Sequence, residues 1–179
     1  MPFDFQNDNG SAQTGIAPCG ACCKLIVQID LMNVLQGATV HSIAWKESHR
    51  SFCATDFIEM HTVERQQKYI LGKMNSGSRF YMLIDGEPVG IVSVKGSLIE
   101  DLYVLPEKQN RGYGTQLLRY AMNKCAATPT LWILENNVNA KRLYHRLGFT
   151  ETGRKKSVAN RIDEIELSLD TGNCMHHIE

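Results

Sequence analysis

LYVLPEKQNRGYGT, residues 102–115, is the most informative segment of the sequence for the fold. A β-rich run ends at Pro106 and an amphipathic helix follows Gly114, so the segment between them is a strand-to-helix loop. Gly112 and Gly114 let the loop backbone approach a ligand, and the start of the helix leaves N–H groups unpaired. The helix dipole and Arg111 add positive charge, which favours a pyrophosphate. Taken alone, a glycine-rich turn without a ligand is the simpler interpretation, so the surrounding sequence must decide.

The sequence around this loop predicts a βαβ unit. Alternating apolar residues predict a strand at 98–105, helical spacing predicts a helix at 115–127, and an apolar run predicts a strand at 130–134. The usual crossover makes two such strands parallel. The other predicted elements are strands at 24–29, 80–84, 89–94, 149–153 and 162–169, and helices at 31–49, 56–74 and 138–147. Their order predicts a single α/β domain.

The composition indicates a single intracellular domain. The chain has 179 residues, with 19 basic and 19 acidic side chains. This balance gives no reason to expect nucleic acid or an anionic membrane surface as the partner. Neither a secretory signal nor a bilayer-spanning apolar run occurs, so we expect a soluble, cytoplasmic protein with reduced cysteines. We predict a disordered N-terminal tail at 1–21, the domain at 22–170 and a C-terminal tail at 171–179.

Two linked motifs identify a candidate family. They are LYVxPxxQxxGxG at 102–114 and LWILExNxxAxxLYxxLGF at 131–149. The first resembles the coenzyme A motif of the GNAT superfamily of N-acetyltransferases, and the second resembles that superfamily's next strand, helix and turn. The sequence departs from the pattern at Asn110, where many relatives have glycine, but asparagine tolerates a left-handed backbone. The resemblance implies a GNAT-like α/β fold, a mixed sheet of about seven strands flanked by about four helices, with acetyl-CoA as co-substrate.

The resemblance also implies which residues contact acetyl-CoA. In the family the fourth and fifth strands splay apart, and the pantetheine arm bonds to the fourth, here through Leu102, Tyr103 and Val104. The loop residues implied to hold the pyrophosphate are Gln109, Asn110, Arg111, Gly112, Tyr113, Gly114 and Thr115. Asn137 corresponds to a residue that contacts the cofactor arm. Its position directly before a helix has a second explanation, an N-cap.

Tyr144 and Glu100 are the predicted catalytic residues. The resemblance places Tyr144 beside the thioester sulfur, where a phenol can donate a hydrogen bond or a proton to the leaving thiolate. Helical spacing alone indicates a core tyrosine. Glu100 is the predicted base for the attacking amine, because period two puts it on the strand face of Leu102, with Asp101 on the opposite face. A solvated or substrate-contacting acid is the alternative for Glu100, and Glu135 is a weaker candidate base.

The sequence predicts no metal site. The CxxC at 19–22 lacks a second half, and completing it with Cys174, His176 and His177 would require both tails to meet. Three aromatic residues are candidates for the amine pocket, since the first two helices shape the acceptor side in this superfamily. They are Trp45, Phe52 and Phe57, and core packing also explains each of them.

Three functions are compatible with these motifs. The first is transfer of an acetyl group from acetyl-CoA to a primary amine of a small molecule, by direct attack in a ternary complex. The second is a protein N-terminal or lysine acetyltransferase. The third is a non-catalytic coenzyme A binding module, which would have no need for Tyr144, so that residue favours an enzyme. Dimers are common among similar proteins, so a homodimer is expected by analogy alone.

Overall fold

The computed structural model describes residues 24–51, 53–158 and 162–170. Both predicted tails, the CxxC at 19–22, Phe52 and the residues Cys174, His176 and His177 lie outside the described residues. Within them, seven strands form a single mixed sheet with helices on both faces. The predicted fold class is confirmed.

The elements follow the predicted order. The strands are β1 (Leu25–Gln28), β2 (Arg79–Asp85), β3 (Glu87–Lys95), β4 (Leu98–Val104), β5 (Thr130–Leu134), β6 (Phe149–Val158) and β7 (Ile162–Leu169). The helices are α1 (Val34–His49), α2 (Thr55–Glu59), α3 (Val63–Asn75), α4 (Tyr113–Met122) and α5 (Val138–Arg146). The strand order across the sheet is β1-β2-β3-β4-β5-β7-β6.

The central βαβ unit is present, and its two strands diverge. β4 and β5 are parallel, and every other neighbouring pair in the sheet is antiparallel. Their ladder holds only Leu98 opposite Thr130 and Ile99 opposite Leu131. Beyond these pairs the strands part, so the β5-facing edge of β4 is without a partner strand. The splay that the family resemblance implied is therefore present.

Helices pack on both faces of the sheet. Helix α4 buries Leu117, Leu118 and Ala121 completely against one face. A Cβ at Gly90 of β3 would lie 2.8 Å from both Leu117 Cδ1 and the carbonyl oxygen of Tyr103. Glycine at position 90 therefore lets α4 approach the sheet closely. Helices α1 and α3 cover the other face, which forms a second core cluster.

The predicted helix at 56–74 is wrong, because the structure has two helices there. α2 ends at Glu59, and α3 begins after Thr62, whose side chain accepts a hydrogen bond from the Arg65 N–H at 3.3 Å. The break turns His61 inward, where its ring stacks on Trp45 and its carbonyl oxygen accepts a 2.6 Å hydrogen bond from the Ser42 hydroxyl. These long-range contacts override the helical propensity of the segment.

A bulge in β4 corrects the predicted strand faces. Val92 lies opposite Leu102 and Val94 lies opposite Ile99, so Glu100 and Asp101 both oppose the single residue Ser93. Ile99, Leu102 and Val104 pack into the core on the α4 side. Glu100 and Asp101 instead contact residues of the α3 side. The expectation that Glu100 shares a face with Leu102, opposite Asp101, is wrong because the extra residue interrupts period two.

Candidate active site

The loop before α4 presents a row of unpaired backbone donors. Among the described residues, nothing accepts a hydrogen bond from the N–H groups of residues 111–115, and the first bond of the helix runs from Gln116 to the Gly112 oxygen at 3.1 Å. Asn110 has φ 60° and Gly112 has φ 82°, so both adopt the left-handed backbone that directs these groups outward. A Cβ at Gly112 would meet no atom within 4 Å. The loop therefore fits a pyrophosphate.

The side chains at the start of α4 are engaged with the protein. The Tyr113 hydroxyl donates a 2.5 Å hydrogen bond to Asp85 Oδ2, which anchors the helix start to β2. A Cβ at Gly114 would lie 3.3 Å from Leu143 Cδ2, so Gly114 admits α5. Tyr113 and Gly114 would therefore contact a ligand through their backbone groups.

Among the remaining loop side chains, those of Gln109 and Thr115 form hydrogen bonds within the protein, and that of Arg111 does not form an ion pair with any described residue. Gln109 Nε2 donates to the Val104 oxygen at 3.3 Å, and Thr115 Oγ1 accepts from Arg146 Nη2 at 3.3 Å. Arg111 is exposed and has no ion-pair partner in the part of the chain that the structure describes. Its charge is thus available to a phosphate at the helix start.

The gap between β4 and β5 suits an extended ligand arm. On its other edge β4 remains paired with β3 through Leu102, Tyr103 and Val104. The side chains of Leu102 and Val104 pack into the α4-side core and Tyr103 packs into the cluster on the other side. Their backbone groups on the β5 side face the gap, so these residues fit a pantetheine arm held by main-chain hydrogen bonds.

Tyr144 lies in the core on the α4 side of the sheet. Its ring is 6% exposed and makes an edge contact with Phe149 at 5.9 Å between centroids. Burial, followed by the charge of Asp101, raises the pKa of Tyr144. No described residue accepts a hydrogen bond from its hydroxyl. The phenol therefore stays protonated and can donate a hydrogen bond to a ligand.

Asn137 occupies the N-cap of α5. Its side-chain oxygen accepts a 3.1 Å hydrogen bond from the Ala140 N–H. The capping explanation of this residue is confirmed, and it leaves the side-chain NH₂ group exposed toward solvent. A contact between that group and the cofactor arm stays a prediction.

A polar pocket of about 480 Å³ opens on the α1 and α3 side of the sheet. Its walls come from α1, the α2–α3 junction, α3, β4, β5, β6 and β7. Trp45 lines it, as proposed from the sequence, between the stacked rings of His49 and His61. Phe57 stands behind this wall, with an edge contact to Trp45 at 6.0 Å. The pocket thus has one aromatic wall and lies directly over the bulge in β4.

Glu100 lies in the pocket but both of its oxygens are engaged. Oε1 accepts from Lys73 Nζ and Oε2 accepts from the Ser78 hydroxyl, each at 2.6 Å. The side chain is 10% exposed. Both oxygens of Glu100 therefore already accept from a donor before an amine enters the pocket.

Asp101 is the residue that sequence reasoning missed. Its carboxylate is 7% exposed and lacks a lysine or arginine partner among the described residues. Oδ2 accepts from the Ser93 hydroxyl at 2.6 Å, and Oδ1 accepts from the Tyr69 hydroxyl at 3.2 Å. Period two placed Asp101 opposite Leu102, as the structure does, but it put Glu100 on the other face, so the two carboxylates were not predicted to lie together.

His41 completes the floor of the pocket. Its ring is 2% exposed, and neither ring nitrogen has a hydrogen-bond partner among the described residues. Burial lowers the pKa of His41, against the charge of Asp101, whose Oδ1 lies 3.8 Å from Nε2. The ring is therefore neutral and carries one donor and one acceptor.

Comparison with known proteins identifies the family. Residues 76–151 match the model of the GNAT acetyltransferase domain. The match confirms the resemblance that the two motifs predicted, and with it the predicted acetyl-CoA-dependent acyltransferase.

Individual relatives of this chain are also N-acetyltransferases. An uncharacterised N-acetyltransferase of Archaeoglobus fulgidus is 29% identical over 113 residues, 55% of this chain and 76% of the relative. The peptidyl-lysine N-acetyltransferase YjaB of Salmonella typhimurium is 30% identical over 70 residues, 39% of this chain and 48% of the relative. The PaiA N-acetyltransferase of Thermoplasma acidophilum, solved with coenzyme A, has a TM-score of 0.62 at 18% identity, over 80% of this chain and 98% of that one. This last likeness concerns the fold.

The described residues hold neither a membrane-spanning helix nor a cluster of metal-binding side chains. Within the described ranges, no helix is long and apolar enough to cross a membrane. The same part of the chain holds no group of three or more His, Cys, Asp or Glu side chains placed to bind a metal ion.

Proposed function

We propose that this GNAT protein acetylates the primary amine of a small molecule bound in the pocket over the β4 bulge. The supporting observation is that one segment of β4 serves two sites. The edge of Leu102–Val104 faces the cofactor gap, while Glu100, Asp101 and Tyr103 line the pocket. A thioester held in the gap and an amine held in the pocket thus meet at the same strand.

The proposed reaction is direct transfer between the two bound substrates. The amine nitrogen attacks the thioester carbonyl carbon, the C–S bond breaks, and the thiolate leaves. Tyr144 donates a hydrogen bond, and a late proton, to the sulfur as its charge develops. The amine proton passes to a pocket carboxylate. The loop at 109–115 and Asn137 hold the cofactor during these steps.

Two carboxylates are candidates for the base, and their contacts favour Asp101 over the Glu100 predicted from the sequence. Glu100 is paired with Lys73, whereas Asp101 accepts only from the two hydroxyls of Ser93 and Tyr69. The charge of Asp101 also raises the pKa of Tyr144, which keeps the proposed acid protonated.

Paired substitutions distinguish the two carboxylates. We expect Asp101→Asn to lower kcat/KM by about 10²-fold, because general-base assistance is lost. We expect Glu100→Gln to lower it less than about 10-fold, because that carboxylate is already neutralised by Lys73. Steady-state kinetics, with thermal melting to verify folding, measure both. A larger loss of kcat/KM in Glu100→Gln than in Asp101→Asn would identify Glu100 as the base.

The function itself is tested by binding and then by turnover. Calorimetric titration with acetyl-CoA should give a Kd in the micromolar range or below, and thiol release should follow with polyamines, amino acids or aminoglycosides. Binding without thiol release from any amine or peptide would favour the non-catalytic module. Absence of acetyl-CoA binding would refute the assignment of the loop as a pyrophosphate site and the proposed function together.

A peptide lysine is the second candidate acceptor. The Salmonella typhimurium relative, 30% identical over the matched segment, is a peptidyl-lysine N-acetyltransferase. Lysine peptides and peptides with a free N-terminus therefore belong in the same thiol-release assay. Acetylation of a peptide with a kcat/KM above that of every small amine would replace the small-molecule proposal.

A further inference from the structure

Most charged side chains of the acceptor pocket form ion pairs with each other. One carboxylate and one cation do not. Lys73 binds Glu100 at 2.6 Å, and Lys156 binds Glu164 at 2.7 Å. Asp101 and Arg65 also line the pocket, and neither has an oppositely charged lysine, arginine or carboxylate partner in the described ranges. The pocket is thus electrically neutral overall but carries a surplus negative charge at one place and a surplus positive charge at another.

The negative end lies on the pocket floor, where a second polar group also lacks a partner. Asp101 Oδ1 and His41 Nε2 are 3.8 Å apart, too far for a hydrogen bond to each other. Both ring nitrogens of His41 are closed to solvent, so an amine in the pocket reaches the carboxylate and not the ring. The neutral ring does not compensate the charge of Asp101, which is therefore left for the amine of a bound ligand.

The positive end lies on the wall above this floor. Arg65 is exposed on the first turn of α3, and Tyr69 follows it four residues later. Residues at this spacing share a helix face about one turn, or 6 Å, apart. The Tyr69 hydroxyl donates to Asp101 Oδ1, so the same face of α3 links the guanidinium with the floor carboxylate.

We propose that the acceptor is an amino acid or another small amine that carries a carboxylate. Its amine bonds to Asp101, and its carboxylate pairs with Arg65. This assignment rests on the proposed acetyl transfer and specifies its substrate class. The 480 Å³ pocket is of the size that holds small metabolites, and its two surplus charges complement a zwitterion better than a polyamine.

The test compares acceptors that differ only in the carboxylate. Glycine, β-alanine, 4-aminobutanoate and 5-aminopentanoate are matched with ethylamine, propylamine, butylamine and pentylamine, in which a methyl group replaces the carboxylate. Thiol release gives kcat/KM, and calorimetry on the CoA-loaded protein gives the affinity of each acceptor. We expect at least one amino acid to exceed its matched amine by about 10-fold, the size of one charge-assisted hydrogen bond.

Substitutions at Arg65 assign that preference to one side chain. In Arg65→Met the ratio between amino acid and matched amine should fall to about 1. Lys68→Met is the matched control, because Lys68 is an exposed cation of the same helix that does not line the pocket. There the ratio should stay at its wild-type value.

Arg65→Glu should invert the preference toward a diamine such as 1,4-diaminobutane. This variant retains the helix, because Thr62 is the N-cap and a glutamate three residues later completes a capping box. A charge reversal that inverts selectivity identifies an ion pair with the substrate and excludes a packing effect.

Separate outcomes overturn the two proposals. A wild-type protein that acetylates amines with no carboxylate preference, or whose preference survives Arg65→Met, refutes the acceptor class and leaves the acetyl transfer intact. Absence of acetyl-CoA binding refutes the acetyl transfer. In that event, calorimetry with the amino acids alone still decides the pocket: Arg65-dependent binding upholds the zwitterion site, and equal binding of amino acids and amines refutes it.

Discussion

Tyr144→Phe is expected to lower kcat by about 10²-fold to 10⁴-fold with little change in the affinity for acetyl-CoA. The substitution removes only a hydroxyl that no described residue accepts from, so the core around the ring is preserved. Burial and the Asp101 charge raise the pKa of Tyr144. The phenol therefore stays protonated at neutral pH, and its loss deprives the leaving thiolate of its donor.

The rate of thiol release gives kcat for Tyr144→Phe, and calorimetry gives its affinity for acetyl-CoA. Tyr81→Phe is the matched control, since Tyr81 is 3% exposed in the same core cluster and does not line the pocket. That variant should retain wild-type kcat. An unchanged kcat in Tyr144→Phe, or equal losses in both variants, would remove the acid assignment.

Gly112→Leu is expected to abolish measurable acetyl-CoA binding. The backbone there has φ 82°, and a Cβ would point into open space within the row of unpaired N–H groups. A leucine side chain therefore occupies the space proposed for the pyrophosphate. The left-handed backbone adds about 1–2 kcal/mol of strain, which can also shift the loop away from its binding conformation.

Gly153→Leu separates the steric effect at position 112 from backbone strain. Gly153 in β6 has φ 84°, and a Cβ there also meets no atom within 4 Å. The two variants thus share the same strain, but only position 112 lies in the loop. Calorimetry with acetyl-CoA should show lost binding in Gly112→Leu and retained binding in Gly153→Leu. Wild-type affinity in Gly112→Leu would contradict the loop assignment.

The cofactor side of the site was predictable because its determinants are local. The strand, the glycines and the helix start lie within residues 102–115, so propensity and capping rules predict the strand-to-helix loop and its unpaired N–H groups. The left-handed backbone of Asn110 was likewise predictable from the residue type. Family resemblance then supplied the splay of β4 and β5, the cofactor and the candidate role of Tyr144.

The acceptor side was not predictable in the same way, because long-range contacts create it. His41, Arg65 and Asp101 come from three separate elements that the sheet and its helices bring together. No spacing in the sequence relates them. The break between α2 and α3 likewise depends on contacts of His61 with α1.

Most of the elements and the phosphate loop were predictable, since each follows from residues close together in the chain. The face of β4 on which Glu100 lies was not. A bulge opposite Ser93 inserts one residue into β4 and turns Glu100 to the pocket face, beside Asp101. The physical reason is that strand periodicity predicts side-chain direction only while the ladder is regular, and pairing with a neighbouring strand determines where it is interrupted.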